Sequence, residues 1–241
     1  MSTVEGNKQC FTMTFWKSVT YKFSGAIKGV MSLVKLMKKF ILTGLTAIVA
    51  VLSTQIMAAD FVAGKDYTVV QNPEKTSVPD KIEVREFFWY GCTYCFKLEP
   101  HMQSWLKKIP KDVYFLRTPA AMTPIWEQGA RAYYVSEALG VRKRTHLPLF
   151  HANFSGNQRV LQKEAFAKFF TQYGVPEQKF NSMFDSFAIT AKIAESNQLA
   201  RKYQLTGVPA VVVNGKYIVQ GGDEKVVQVV DYLVNKERKN K

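Results

Sequence analysis

Apolar and polar positions along residues 60–241 follow two periods: strand-like runs first, helical patterns in the middle, then strands and a helix. Tyr67-Thr68-Val69-Val70 predicts a short first strand, and Pro73 to Pro79 a loop. The run Ile82-Glu83-Val84-Arg85-Glu86-Phe87-Phe88-Trp89-Tyr90 predicts a strong strand, apolar on both faces, as in a sheet centre covered by helices. Leu98, Met102, Trp105, Leu106 and Ile109 then recur at helical spacing. Pro100 lies inside that helix and is expected to kink it. Val113-Tyr114-Phe115-Leu116 predicts the next strand.

From Pro119 the pattern becomes helical. Thr123-Pro124 reads as an N-cap followed by proline in the first turn, opening a helix that stops at Gly140. Further helices are predicted from Glu164 to Tyr173, ended by Gly174, and from Pro176 to Phe187. Phe150, Phe154, Phe166, Phe169, Phe170, Phe180, Phe184 and Phe187 crowd this stretch, mostly as the core of a small helical unit. A helix from Ile189 to Tyr203 follows, then two apolar runs joined by Asn214-Gly215, the strongest short hairpin signal. Gly221-Gly222-Asp223 starts a last helix with Val226, Val227, Val229, Val230, Leu233 and Val234 on one face. The fold class is α/β, with no internal repeat and no low-complexity linker.

Where the strong strand ends and the helix begins stands Cys92-Thr93-Tyr94-Cys95. Two cysteines two residues apart at such a junction suit dithiol–disulfide redox chemistry. Unpaired N–H groups and the dipole at a helix N-terminus favour an anion, so the first sulfur is the thiolate that attacks. The second lies one turn on, within reach to close a ring. Only three cysteines occur in 241 residues, too few for a disulfide-stapled scaffold. His101, His146 and His151 are the only histidines and no second CxxC exists, so no metal site is read. The bland alternative is two ordinary buried cysteines.

Met37-Lys38-Lys39, the apolar stretch 40–52 and the exit Ser53 to Asp60 form a secretory signal over 37–59, cleaved after Ala58 or Ala59. The rival is an uncleaved anchor at 40–57, about the minimum length for a bilayer. Residues 1–36 show no folded pattern and read as a non-native or unstructured N-terminal extension, which holds the third cysteine, Cys10. Export places the dithiol in an oxidising space, where disulfides are made or edited. The formal charge is 33 − 19 = +14; residues 1–59 hold seven Lys and one Glu, leaving 26 − 18 = +8 for the remainder. The basic residues are dispersed, without the stripe and motif of a nucleic-acid binder. A dispersed charge of that sign gives at most a weak attraction to anionic membrane surfaces.

The segment Glu86-Phe87-Phe88-Trp89-Tyr90-Gly91-Cys92-Thr93-Tyr94-Cys95, together with Thr206-Gly207-Val208-Pro209-Ala210, resembles the DsbA family of periplasmic thiol:disulfide oxidoreductases. The resemblance runs from about Asp60 to the C-terminus. It implies a discontinuous thioredoxin domain, 60–118 and 189–241, interrupted by a helical insertion over 119–188. It also implies an oxidase that donates its Cys92–Cys95 disulfide to unfolded exported proteins. A membrane quinone reductase of the DsbB type would reoxidise it. No cofactor beyond the cysteine pair, no nucleic acid and a monomeric state are expected.

Further roles rest on that resemblance. Val208-Pro209 is the expected cis-proline loop, pairing its backbone with an extended substrate beside Cys92; a trans strand start is the alternative. Glu86 and Glu99 match acidic positions beneath the redox pair. Glu86 shares a strand face with Ile82, Val84 and Phe88, so it is expected to face inward. A buried carboxylate there takes the Cys95 proton and has a raised pKa. Glu99 is read equally as such a group or as part of a solvated helix face. Thr93-Tyr94 replaces the Pro-His of strongly oxidising members, which implies a milder oxidant. A tyrosine there keeps a disulfide isomerase or reductase as rival, whereas Val208 before the proline favours the oxidase. A chaperone-like binder of exported chains, with a structural disulfide, is the third reading. His146 and His151 are read as structural, and His101 as a surface or core residue.

Overall fold

The computed structural model describes residues 61–156 and 159–240. The extension 1–36, the export signal 37–59 and Cys10 lie outside the described residues.

Five strands form one mixed sheet: β1 (Thr68–Val69), β2 (Ile82–Phe88), β3 (Val113–Pro119), β4 (Ala210–Val213) and β5 (Tyr217–Gln220), in the order β1-β5-β4-β2-β3. β2 runs parallel to β3 and antiparallel to β4, so it is flanked on both sides and wholly buried. The β4–β5 hairpin turns at Asn214 (φ 50°) and Gly215 (φ 67°), the two left-handed positions an Asn-Gly hairpin turn requires. A Cβ on Gly215 would lie 2.2 Å from the Glu74 carbonyl oxygen, so the loop ahead of β2 also demands glycine there.

Among the described residues, seven helices cover this sheet or follow it: α1 (Thr93–Leu106), α2 (Pro124–Ala138), α3 (Arg142–Phe154), α4 (Lys163–Thr171), α5 (Glu177–Phe184), α6 (Phe187–Lys202) and α7 (Glu224–Lys239). Pro100 sits inside α1. The Thr123 hydroxyl caps α2 by accepting from Trp126 N–H, and Gly140 (φ 69°) lies just past its end.

The alternation of β2 sorts its neighbours. Ile82 and Val84 pack with Val211 and Val213 against Leu98 and Met102 of α1 and Val230 and Leu233 of α7. Phe87 points the other way, with Ala210 and Val212, onto Ala200 and Tyr203 at the end of α6. Phe88 and Tyr90, at the end of β2, join the phenylalanine core of α3–α5, including Phe150, Phe166, Phe170 and Phe180. Each such buried ring is worth roughly 1.5–3 kcal/mol relative to exposure. The redox segment is thus anchored where sheet core and helical core meet.

Three expectations change. The second face of β2 is apolar only at Phe87: Glu83 and Arg85 are buried there as a pair, 2.9 Å apart, with Ser77 and Thr118 taking the remaining Arg85 hydrogen bonds. β3 extends to Pro119 because Arg117 and Thr118, polar in sequence, find buried partners. Helix α3 was not anticipated, since Pro148 and the run Arg142-Lys143-Arg144 hide its period; it buries Thr145, His146, Leu149 and Phe150. Phe187 is the exception among the phenylalanines, 87% exposed at the start of α6.

Candidate active site

Cys92 is the N-cap residue of α1. Its backbone is extended (φ −89°, ψ 116°), which aims the sulfur at the open end of the helix. There Sγ accepts a hydrogen bond from Cys95 N–H at 3.1 Å, one of the donors a helix start leaves unpaired. Both cysteines are free thiols, Cys92 half-buried and Cys95 fully buried. The hydrogen bond from the Cys95 side chain, opposed by burial and aided by the Cys95 and Tyr94 backbone N–H groups, brings the Cys92 thiol down to about 7. Burial, the hydrogen bond with Cys92 and the charges of Cys92 and Glu86 push Cys95 well above the ordinary thiol range. One sulfur is therefore held ready as a thiolate while its partner keeps its proton.

The Val208–Pro209 peptide is cis. Its loop faces the pair directly: the Cys92 thiol donates to the Val208 carbonyl oxygen at 3.3 Å. Thr93 and Tyr94 point outward, Tyr94 with 62% of its surface exposed, so the dipeptide reaches Cys92 through the Tyr94 backbone rather than its phenol. Behind Tyr94 stands Gly222, where a Cβ would lie 2.8 Å from the Tyr94 carbonyl oxygen. Gly91 likewise leaves room for the Trp89 ring, which stacks on Trp126 at 5.1 Å between centroids.

Beneath the sulfurs lies a buried charge cluster. Glu86 of β2 and Arg117 of β3 are paired in register and point to the same face, and Arg117 Nε donates to Glu86 Oε2 at 2.8 Å. Arg117 Nη2 spans both oxygens of Glu99 on α1, at 3.0 and 3.2 Å. The Gln103 amide donates to the same carboxylate at 2.5 Å. Glu99 is fully buried, so it is no part of a solvated helix face. The two carboxyls titrate oppositely. Burial, reinforced by the Glu99 charge and only partly offset by Arg117, raises Glu86 to about 7. Burial also pushes Glu99 up, but contacts with His146, Arg117 and Gln103 outweigh it and leave Glu99 below its ordinary value. One guanidinium shared by two carboxylates leaves room for one proton, and Glu86 holds it.

The profile of the DSBA-like thioredoxin domain matches residues 111–233, about half of the chain. The thiol:disulfide interchange protein DsbA of Pseudomonas aeruginosa is 38% identical over 206 residues, covering 84% of this chain and 98% of its own length. The chain belongs to the DsbA family. The DsbA of Pseudomonas syringae pv. tomato is 41% identical over 180 residues, 73% of this chain and 84% of that protein. Among solved structures, Pseudomonas aeruginosa DsbA superposes with a TM-score of 0.71 at 39% identity, covering 75% of this chain and 96% of that one. The Xylella fastidiosa oxidoreductase DsbA gives 0.69 at 33% identity, covering 74% and 98%. This DsbA-family chain has the thioredoxin-like α/β fold of those neighbours and is a thiol:disulfide oxidoreductase.

Sequence reading missed Arg117 and His146. Arg117 stands just past the run predicted as a strand, so only the tertiary pairing shows that it is buried and has to meet an anion. His146 is buried in α3, with Nδ1 2.9 Å from the Tyr90 hydroxyl and Nε2 3.5 Å from Glu99 Oε2. Nothing local in the sequence marks it. A cavity of about 360 Å³ beside β3 lies apart from this cluster's sulfurs, with Arg85, Tyr134 and Ser196 in its wall. Arg85 and Tyr134 in that wall are already paired, to Glu83 and to Ser196.

Proposed function

We propose that this DsbA-family protein is the oxidase of an exported compartment, the periplasm, donating its Cys92–Cys95 disulfide to unfolded polypeptides. The observation that carries the reading is the inequality of the two sulfurs: Cys92 capped at the helix start with its thiol at about 7, Cys95 buried and held protonated. A substrate thiolate attacks Cys92 Sγ, the Cys92–Cys95 bond breaks, and Cys95 leaves as a buried thiolate. Glu86, whose carboxyl burial raises to about 7, supplies the proton Cys95 takes up. A second substrate thiolate then attacks the substrate sulfur of the mixed disulfide, and Cys92 leaves as the thiolate that Cys95 N–H stabilises. Two electrons pass from two substrate thiols to the pair. Glu99, kept ionised, holds Arg117 rather than moving protons. The Val208 and Pro209 backbone pairs with the extended substrate beside Cys92.

Reoxidation runs the steps backwards against a DsbB-type membrane quinone reductase, and Glu86 then takes the Cys95 proton. The protein acts as a monomer, needs no cofactor beyond the cysteine pair and binds no nucleic acid. The apolar stretch ahead of Asp60 supports export through a cleaved signal. The test is anaerobic: oxidised protein is mixed with a reduced, unfolded protein that has two cysteines. One disulfide gained by the substrate for each pair reduced is the expected result. Reshuffling of a scrambled substrate without net oxidation would favour the isomerase instead.

A further inference from the structure

His146 is the buried titratable group that this mechanism leaves without a task. It comes from α3, yet its ring is enclosed by groups from four other elements. Glu99 of α1 faces Nε2, the Tyr90 hydroxyl after β2 faces Nδ1, and Arg117 of β3 adds its charge. The Tyr133 ring of α2 lies 6.2 Å away, and Arg142 acts from the start of α3 itself. Phe88 and Phe150 close the rest of the cage at 5.1 and 5.4 Å. Burial, together with the Arg117 charge, takes the imidazole down to about 4, which leaves it neutral near pH 7. Its hold on Glu99 is then not an ion pair. A carboxylate facing Nε2 selects the tautomer with the proton on that nitrogen and leaves Nδ1 to accept from Tyr90. That Nε2–H faces the carboxylate at 3.5 Å without closing a hydrogen bond, and Nε2 has no hydrogen-bond partner among the described residues, so its hold on Glu99 is electrostatic.

The donor count decides where the cluster keeps its proton. Glu86 receives one donor, Arg117 Nε. Glu99 receives two donors, Arg117 Nη2 and the Gln103 amide, and also faces the imidazole Nε2 at 3.5 Å, without a hydrogen bond. In a dry cluster each added donor favours the charged form of the carboxyl it faces. We infer that His146 is a positioning residue for proton exchange at Cys95: its ring N–H keeps Glu99 charged, and charged Glu99 leaves the proton on Glu86, beneath the sulfurs. A residue of the helical segment thereby sets the acid–base state of the redox centre. The inference rests on the proposed role of Glu86.

The step to watch is closure of a Cys92–glutathione mixed disulfide. Cys95 gives its proton to Glu86, its thiolate attacks Cys92 Sγ, the Cys92–Cys95 bond forms and glutathione leaves as thiolate. Stopped-flow measurement of that rate against pH reads the Glu86 limb near pH 7. In His146→Phe, which keeps a ring for Phe88 and Phe150 but offers no donor, the limb should move to lower pH by about half a unit or more, roughly threefold in ionised fraction. His146→Asn, shorter and still polar towards Tyr90, should move it the same way and serves if the phenylalanine variant fails to fold. His146→Gln, whose amide can reach Glu99, should restore the limb. A limb that stays in place in whichever loss variant folds, while Glu86→Gln abolishes it, overturns the inference and spares Glu86. A limb that survives Glu86→Gln overturns the Glu86 role and the inference with it.

Discussion

Glu86→Gln should make the protein more stable in alkali relative to acid than the parent, by an amount the structure sets. Glu86 is fully enclosed beneath Cys95, with Arg117 Nε as its donor at 2.8 Å. Its carboxyl rises from 4.5 in a solvated chain to about 7 in the fold. A carboxyl raised by folding contributes its full stability below the unfolded value. That contribution is lost as pH climbs through the folded one, because the unfolded chain then binds fewer protons than the native state. The interval of about 2.5 pH units, at about 1.36 kcal/mol per unit, comes to about 3 kcal/mol lost between pH 4 and pH 9. Glutamine has nearly the same shape and never ionises, so the variant escapes this loss. It does carry a pH-independent penalty for weakening the Arg117 pair. Urea unfolding of both reduced proteins at pH 4, 7 and 9 measures the effect. The difference in unfolding free energy, variant minus parent, should rise by about 3 kcal/mol from pH 4 to pH 9, most of it by pH 7. Parallel stability curves would mean that Glu86 ionises normally in the fold, and the proton route to Cys95 would lose its group.

Of the CxxC pair, iodoacetamide should alkylate Cys92 and not Cys95 in the reduced protein, with a rate that rises through a midpoint near pH 7 as the thiolate forms; preferential labelling of Cys95 would reverse the roles. Cys92→Ser should abolish disulfide transfer, and Cys95→Ser should accumulate mixed disulfides with substrate, both read on non-reducing gels. Tyr94→His adds a cationisable ring at the exposed start of α1, where a positive charge in the neighbourhood of the Cys92 thiolate should make the disulfide more oxidising, on the order of 30 mV in a glutathione titration. An unchanged potential there would assign the poise to Glu86 or the Val208-Pro209 loop. Phe150→Ala, which removes a fully buried ring packed on Phe88 and Tyr90, should cost about 3–5 kcal/mol in urea unfolding.

The redox half of the site was legible because its chemistry is local. A CxxC between a strand and a helix fixes which sulfur caps the helix, and strand alternation puts Glu86 on the inner face. The Asn214-Gly215 hairpin was equally local. Arg117 was not legible, since its meaning depends on β3 lying parallel to β2 in the register that sets it beside Glu86, a pairing across 31 residues. Glu99 stayed ambiguous for the same reason: polar by type, it is buried only because Arg117 arrives from another strand. Helix α3 escaped because Pro148 and three basic residues blur its period, and His146 was lost with it. The acid–base half of the site is tertiary, assembled from β2, β3, α1 and α3, and no single segment announces it.

Redox equilibrium with glutathione tests the central claim most directly. The protein is brought to equilibrium anaerobically in graded glutathione buffers, and the fraction holding the Cys92–Cys95 disulfide is read together with the urea stability of each form. A donated disulfide is one whose reduced form is favoured. The pair should be reduced by buffers that leave structural disulfides, typically below about −300 mV, intact. The reduced protein should also be the more stable form. A disulfide that resists those buffers and stabilises the fold would contradict the account and make Cys92–Cys95 a structural bond.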